Sequence, residues 1–101
     1  MAASYRIEYM PAAEEEFDEI FEYVARDNPE ETKRLLEKFD SAICQLSAFP
    51  ELGVVPKDAR LKYLGYRTLI VENYLVFYMQ KEEIVEIHRV IHGSRRYSFL
   101  F

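Results

Sequence analysis

Apolar residues recur at two different spacings along the first part of the chain. Residues 4–10 alternate between apolar and polar, with Tyr5, Ile7 and Tyr9 on one side, and this is the period of a half-buried strand. From Pro11 the apolar spacing changes to three and four, which predicts an amphipathic helix. Its apolar face consists of Phe17, Ile20, Phe21 and Val24. Proline suits the first turn of a helix, and the glutamates at 14–16 suit the positive end of its dipole.

A second helix is predicted after Asp27-Asn28-Pro29. The residue before a proline avoids the helical region, and the proline itself can begin the next helix. The apolar stripe of this helix consists of Leu35, Phe39, Ala42, Ile43, Leu46 and Phe49. The segment Phe49–Gly53 ends it, so the two helices form a hairpin.

Three strands are predicted in the rest of the chain, after a polar loop that runs to about Arg60. They cover residues 63–71, 74–80 and 84–91, separated by turns at Glu72-Asn73 and at residues 81–83. Successive strands with tight turns form an antiparallel meander, and the helical hairpin is expected to cover one face of the sheet. The predicted fold class is α+β with the order β-α-α-β-β-β, in one domain over residues 1–101.

Composition agrees with one small globular domain. The chain has 101 residues, half of them apolar, and a formal net charge of −5. Cys44 has no second cysteine to pair with, so we expect a buried or half-buried thiol in a reducing, cytoplasmic setting. No apolar run approaches the roughly 20 residues of a membrane span.

The charge is divided unevenly, which matters more than the total. Residues 1–56 carry 5 basic and 13 acidic side chains, whereas residues 57–101 carry 8 basic and 5 acidic ones. An acidic protein is a poor candidate for binding nucleic acid, but this objection does not apply to the second half.

Motifs of several common sites are missing from the sequence. It has no glycine-rich phosphate loop, no paired CxxC, no HExxH and no GxSxG. Carboxylates at positions 14, 18 and 22 share a helix face, and Glu86 shares a strand face with His88. A solvated acidic face and a half-exposed histidine explain these better than a metal site does, so no metal and no cofactor are expected.

The candidate functional residues are basic, apart from one tyrosine, and belong to the second half. We expect them to converge on one rim of the sheet, because adjacent antiparallel strands bring the start of one beside the end of the other. The candidates are Lys57, Arg60, Lys62, Arg67, Arg89, His92, Arg95, Arg96 and Tyr97.

Such a rim has the parts for metal-free RNA cleavage. His92 has the intrinsic pKa of a general acid or base, and Arg67, Arg89 and Arg95 can hold a phosphate. Tyr97 can stack on a base or assist proton transfer. The catalytic set predicted on these grounds is Arg67, His92, Arg95 and Tyr97, and the other cations would bind phosphate or the target.

A structural alternative stays open for each of these residues. Arg67 and Arg89 can pair with sheet neighbours such as Glu72 or Glu86, and His92 can simply end a strand. Arg95-Arg96 can be a solvated terminus. The tail Phe99-Leu100-Phe101 can pack on the core or meet a partner.

Four segments together resemble the RelE/ParE superfamily, toxins of type II toxin–antitoxin modules of the plasmid stabilisation type. They are residues 49–53 (FPELG), 65–67 (GYR), 73–78 (NYLVFY) and 89–95 (RVIHGSR). The resemblance extends over nearly the whole chain and implies a growth-inhibiting toxin that a cognate antitoxin wraps with strand or helix segments. It also implies the β-α-α-β-β-β fold.

The superfamily has two mechanistic branches. RelE-like members are ribosome-dependent mRNA endonucleases (mRNA interferases), and their arginine at the start of the third strand falls on Leu75 here. A basic residue falls near Arg67, a late arginine near Arg95, and the catalytic histidine of some members on His92. ParE-like members inhibit DNA gyrase, and the NYLVFY and HGSR segments resemble that branch more closely.

We therefore predict a cytoplasmic toxin, ParE-like rather than RelE-like, with a cognate antitoxin as partner. Gyrase, or the ribosome with mRNA, would be the target, and a homodimer stays open. A non-toxic module that binds an antitoxin is the remaining alternative.

Overall fold

The computed structural model describes residues 4–95 and residue 101. The elements in chain order are β1 (Arg6–Tyr9), α1 (Pro11–Asp27), α2 (Pro29–Cys44), a short 3₁₀ helix (Gln45–Ser47), α3 (Ala59–Leu64), β2 (Arg67–Val71), β3 (Tyr74–Lys81) and β4 (Ile84–His92). The predicted α+β class and its β-α-α-β-β-β order are confirmed, with α3 as an addition. Within the described part of the chain, no helix has the length and apolar character needed to cross a membrane.

The break between α1 and α2 forms as predicted. Asn28 adopts an extended conformation, and its side-chain oxygen accepts a hydrogen bond from the backbone N–H of Glu31 at 3.2 Å. Pro29 then occupies the first turn of α2, where its missing N–H costs nothing.

The sheet has the strand order β1-β4-β3-β2. Strands β2, β3 and β4 form the predicted antiparallel meander. Strand β1 adds to β4 in parallel, with Arg6 opposite Ile84 and Tyr9 opposite Ile87, so the sheet is mixed. A parallel neighbour needs a long connection, and the helical hairpin supplies the first part of it.

The main core lies between the helical hairpin and one face of the sheet. Phe39 of α2 is buried at its centre, with its ring centroid 5.0 Å from that of Phe17 and 5.4 Å from that of Tyr74. From the sheet, Val76, Tyr78 and other side chains of the same face complete this core. The apolar stripes read from the sequence are therefore the packing faces of both helices.

The opposite face of the sheet is covered by α3 and by Phe101. A second cluster there contains Leu61, Phe77 and Ile91, with the Phe101 ring centroid 5.0 Å from that of Phe77. The end of the chain thus packs on the sheet, which was one of the two alternatives for the tail. Phe99 and Leu100 lie outside the described residues.

The prediction of a strand from Tyr63 is wrong, because residues 59–64 form α3. The Asp58 carboxylate caps this helix by accepting hydrogen bonds from the N–H groups of Arg60 and Leu61 at 2.9 and 3.1 Å. Gly65 ends it at φ +93°, a left-handed conformation that favours glycine. Tyr63 consequently points into solvent with 89% of its surface exposed.

Two predictions for the end of the second helix are also wrong. Phe49 is 66% exposed rather than part of the apolar stripe, because the helical conformation ends at Ser47 and the chain turns at residues 50–51. Cys44 is exposed, since it follows the buried Ile43 and so lies about 100° further round the helix.

Candidate functional site

The predicted convergence of Arg67 and His92 on one rim is not observed. Arg67 lies opposite Tyr78 of β3, whereas His92 lies opposite Tyr74, four residues earlier on the same strand. This separates the two positions by roughly 14 Å along the sheet. The prediction failed because β2 and β4 both flank β3 and run in the same direction, so the start of one does not meet the end of the other.

Arg67 holds a loop rather than a free position on the rim. Its Nη1 donates a hydrogen bond to the Gly53 carbonyl at 3.0 Å and lies 3.5 Å from the Glu51 carbonyl. The buried Tyr78 hydroxyl closes the same loop, since it donates to the Pro50 carbonyl and accepts from the Gly53 N–H, both at 2.8 Å. The suggested pairing of Arg67 with Glu72 or Glu86 is therefore not observed.

Arg89 is paired with Glu16 of α1, not with Glu86. Its Nη2 and Nε lie 2.8 and 3.0 Å from the two carboxylate oxygens. The same carboxylate accepts the N–H of Val90 at 3.1 Å, and both side chains are largely buried, at 21% and 14% exposure. The hydrogen bonds to Glu16 raise the pKa of Arg89, so this cation is fixed and charged.

A hydrogen-bonded chain of Tyr66, His88 and Glu86 lies on the α3 side of the sheet. The Tyr66 hydroxyl is 3.0 Å from His88 Nδ1, and His88 Nε2 is 3.0 Å from a Glu86 oxygen. A bulge in β4, where Phe77 faces Arg89 and Tyr78 faces Ile87, leaves His88 without an opposite residue. The hydrogen bond from His88 lowers the pKa of Glu86, with Lys81 at 3.5 Å contributing further.

The sequence indicated that Glu86 and His88 share a face, but not that Tyr66 joins them. Burial raises the pKa of the Tyr66 phenol, which makes it a poor acid and nucleophile at neutral pH. No group of three or more His, Cys, Asp or Glu side chains suited to a metal occurs among residues 4–95 and 101.

His92 and Arg95 are neighbours on an exposed turn. His92 Nδ1 accepts the backbone N–H of Ser94 at 3.2 Å and lies 2.7 Å from its hydroxyl. The imidazole packs edge-on against Tyr74, and the N–H of Arg95 donates to the His92 carbonyl at 3.0 Å. Arg96 and Tyr97, the other predicted members of this group, lie outside the described residues.

The remaining predicted cations lie on α3 or just before it. Lys57, Arg60 and Lys62 are exposed, and the Arg60 guanidinium donates to the Phe101 carbonyl. Leu75, where the resemblance places a catalytic arginine of RelE-like members, is half-buried in the second apolar cluster. The described candidates therefore occupy four separate places and do not assemble a base, an acid and a phosphate-binding cation at one point.

Comparison with known proteins agrees with this fold. A family model described as "ParE toxin of type II toxin-antitoxin system, parDE" matches residues 7–97. No curated protein sequence matches the chain. Among solved structures, the chain is similar to one titled "Chromosomal ParDE TA system from P. aeruginosa". That match has a TM-score of 0.74 and 16% identity, and it covers 90% of this chain and 98% of the other.

Proposed function

Because the chain belongs to the ParE toxin family and is the toxin of a type II toxin–antitoxin module, we propose that it arrests growth by inhibiting DNA gyrase in the cytoplasm. Membership of this family implies a cognate antitoxin as its partner. The observation that carries the proposal is the environment of Leu75, which fills the second apolar cluster at the position where a RelE-like nuclease needs an arginine.

The separation of the other candidate catalytic residues supports the same proposal. Arg67 is hydrogen-bonded to carbonyls of the 50–53 loop and Arg89 is paired with Glu16, so both guanidinium groups are committed to the fold. Phosphate stabilisation in RNA cleavage needs cations placed around one phosphate. Inhibition of gyrase by binding makes no such demand.

We propose that the exposed cations contact the gyrase–DNA complex. Lys57, Lys62 and Arg95 are exposed and form no ion pair with the described residues. Charges of this kind contribute to encounter rate and to binding of a polyanion. His92, and Arg96 and Tyr97 beyond the described residues, extend the same set as predicted target contacts.

Expression of the chain without its antitoxin, from an inducible promoter, is expected to stop growth. The purified protein should then block supercoiling of relaxed plasmid by gyrase or trap cleaved DNA. The antitoxin, added in equimolar amount, should restore supercoiling. Growth at the normal rate, with the soluble toxin present, would contradict the toxin activity itself.

A parallel assay on translating ribosomes separates the two branches. Normal supercoiling together with ribosome-dependent cleavage of a reporter mRNA would overturn the gyrase proposal. In that case His92→Ala and Arg95→Ala, compared with Lys81→Ala, would establish whether the predicted catalytic residues act.

A further inference from the structure

A cleft between α1 and α2 opens on the side of the hairpin away from the sheet's second cluster. It has a volume of about 270 Å³, and its floor is formed by the aromatic rings of Phe17, Phe21 and Phe39. Leu36 stands at its edge with 51% of its surface exposed. Apolar side chains that line an open cleft are a favourable place to bury the apolar side chains of a partner.

Three carboxylates surround this apolar floor. Glu14 and Asp18 come from α1 and Asp40 from α2, and all three are exposed. None of them forms an ion pair with a cation of the described chain. Asp40 contacts the Cys44 thiol at 3.8 Å, and its charge adds to burial in raising the pKa of the nearby Tyr9.

Other acidic side chains of the hairpin are used differently. Glu16 pairs with Arg89, and Glu31 pairs with Arg34, which also binds Glu72. Over residues 11–44 there are 11 acidic and four basic side chains, so the field around the cleft is negative. The cleft therefore combines an uncovered apolar floor with anions that have no counter-ion from the described fold.

We propose that this cleft docks a cationic amphipathic helix of the antitoxin. The apolar face of that helix enters between α1 and α2, and lysine or arginine side chains three or four positions away pair with Asp18 and Asp40. The identity of the partner rests on the proposed toxin function. The chemistry of the partner rests on the cleft itself, because an acidic or neutral helix would leave the three carboxylates uncompensated.

Reversing one charge of the cleft tests this inference. Asp18→Lys should weaken binding of the full-length antitoxin roughly tenfold or more, with a smaller salt dependence, because it places a cation against the cations of the helix. Glu19→Lys is the matched control, since it makes the same change at the next residue of α1, outside the cleft. Both affinities are measured by calorimetry on purified proteins at two salt concentrations.

The apolar contact has its own pair of variants. Leu36→Ser removes an exposed leucine at the cleft, and Leu64→Ser removes one of similar exposure on α3. We expect the first to weaken antitoxin binding and the second to leave it unchanged. Equal affinities within both pairs would overturn the proposed docking site.

Growth assays keep this inference apart from the toxin function. Toxin carrying Asp18→Lys should still arrest growth but escape neutralisation by the antitoxin, whereas toxin carrying Glu19→Lys should be neutralised. A wild-type toxin without effect on growth contradicts the proposed function, and calorimetry then still decides the docking site. If the wild type sediments as a dimer and Asp18→Lys as a monomer, the occupant is a second copy of this chain and the proposal is wrong.

Discussion

Tyr78 fixes the loop that follows the helical hairpin through two hydrogen bonds of one hydroxyl. The Pro50 carbonyl accepts its proton, and the Gly53 N–H donates to its oxygen. Gly53 lies so close that an added Cβ would come within 2.6 Å of that hydroxyl oxygen. The phenol of a fully buried tyrosine thus replaces the secondary structure that this segment lacks.

Replacing Tyr78 by phenylalanine should lower the free energy of unfolding by about 1–3 kcal/mol. The ring still fills the core, but the Pro50 carbonyl and the Gly53 N–H lose their partner. Urea denaturation at pH 7 measures the change. Tyr63→Phe on the exposed surface of α3 is the control and should have no effect; equal stability of both variants would contradict the role given to the Tyr78 hydroxyl.

Stability should also fall in alkaline solution. Burial raises the pKa of Tyr9, Tyr66, Tyr74 and Tyr78 above the ordinary value of 10.0. The unfolded chain therefore releases these protons at a lower pH than the folded chain, and this favours unfolding as pH rises beyond about 10. Below about pH 9 the same groups are protonated in both states and add no pH dependence.

Urea midpoints between pH 8 and pH 11 test this expectation. The free energy of unfolding should be level at first and then decrease, and Tyr78→Phe should decrease less steeply than the wild type. A wild-type curve that stays level to pH 11 would show that burial of these phenols has no such effect.

Helix α1 is attached to β4 at the point where β1 ends. The last hydrogen bond of the parallel pairing is from the Met10 N–H to the Ile87 carbonyl. Beyond it, the Glu16 carboxylate accepts the N–H of Val90 and binds the Arg89 guanidinium. A helical side chain therefore continues the hydrogen bonding that the short strand stops providing.

Glu16→Ala is expected to destabilise the fold by about 2–4 kcal/mol, because it removes the acceptor of a backbone N–H and the partner of a largely buried cation. Glu16→Gln should cost less, since its amide oxygen can still accept from Val90. Glu15→Ala, one residue away and exposed, is the matched control. Thermal unfolding measures all three, and similar losses for Glu15→Ala and Glu16→Ala would refute this attachment.

The long elements could be predicted from the sequence because period and turn chemistry agreed there. The stripe on α1 and the break at Asn28-Pro29 are strong local signals. Helix α3 was missed because alternating Leu61 and Tyr63 imitate a strand, although Asp58 and Gly65 mark its two ends. A six-residue helix is decided by such caps rather than by periodicity.

At the scale of the whole molecule, the sequence could name candidate residues but not their partners. Composition placed the basic side chains in the second half, yet Arg89 is matched by Glu16 of the acidic half. Pairing of this kind depends on how the helical hairpin lies on the sheet, which no local pattern encodes. The separation of Arg67 from His92 similarly follows from strand order, which local turn signals do not reveal.

The position of β4 between β1 and β3 also has a consequence for synthesis. Of the strand pairings in the described sheet, β1 with β4 and β3 with β4 both require the last strand to be made. A nascent chain without that strand has the hairpin of β2 and β3 but no place for β1, and such long-range pairing is slow to form. The toxin therefore completes its sheet only near the end of translation, which gives an antitoxin already in the cell time to meet each new molecule as it leaves the ribosome.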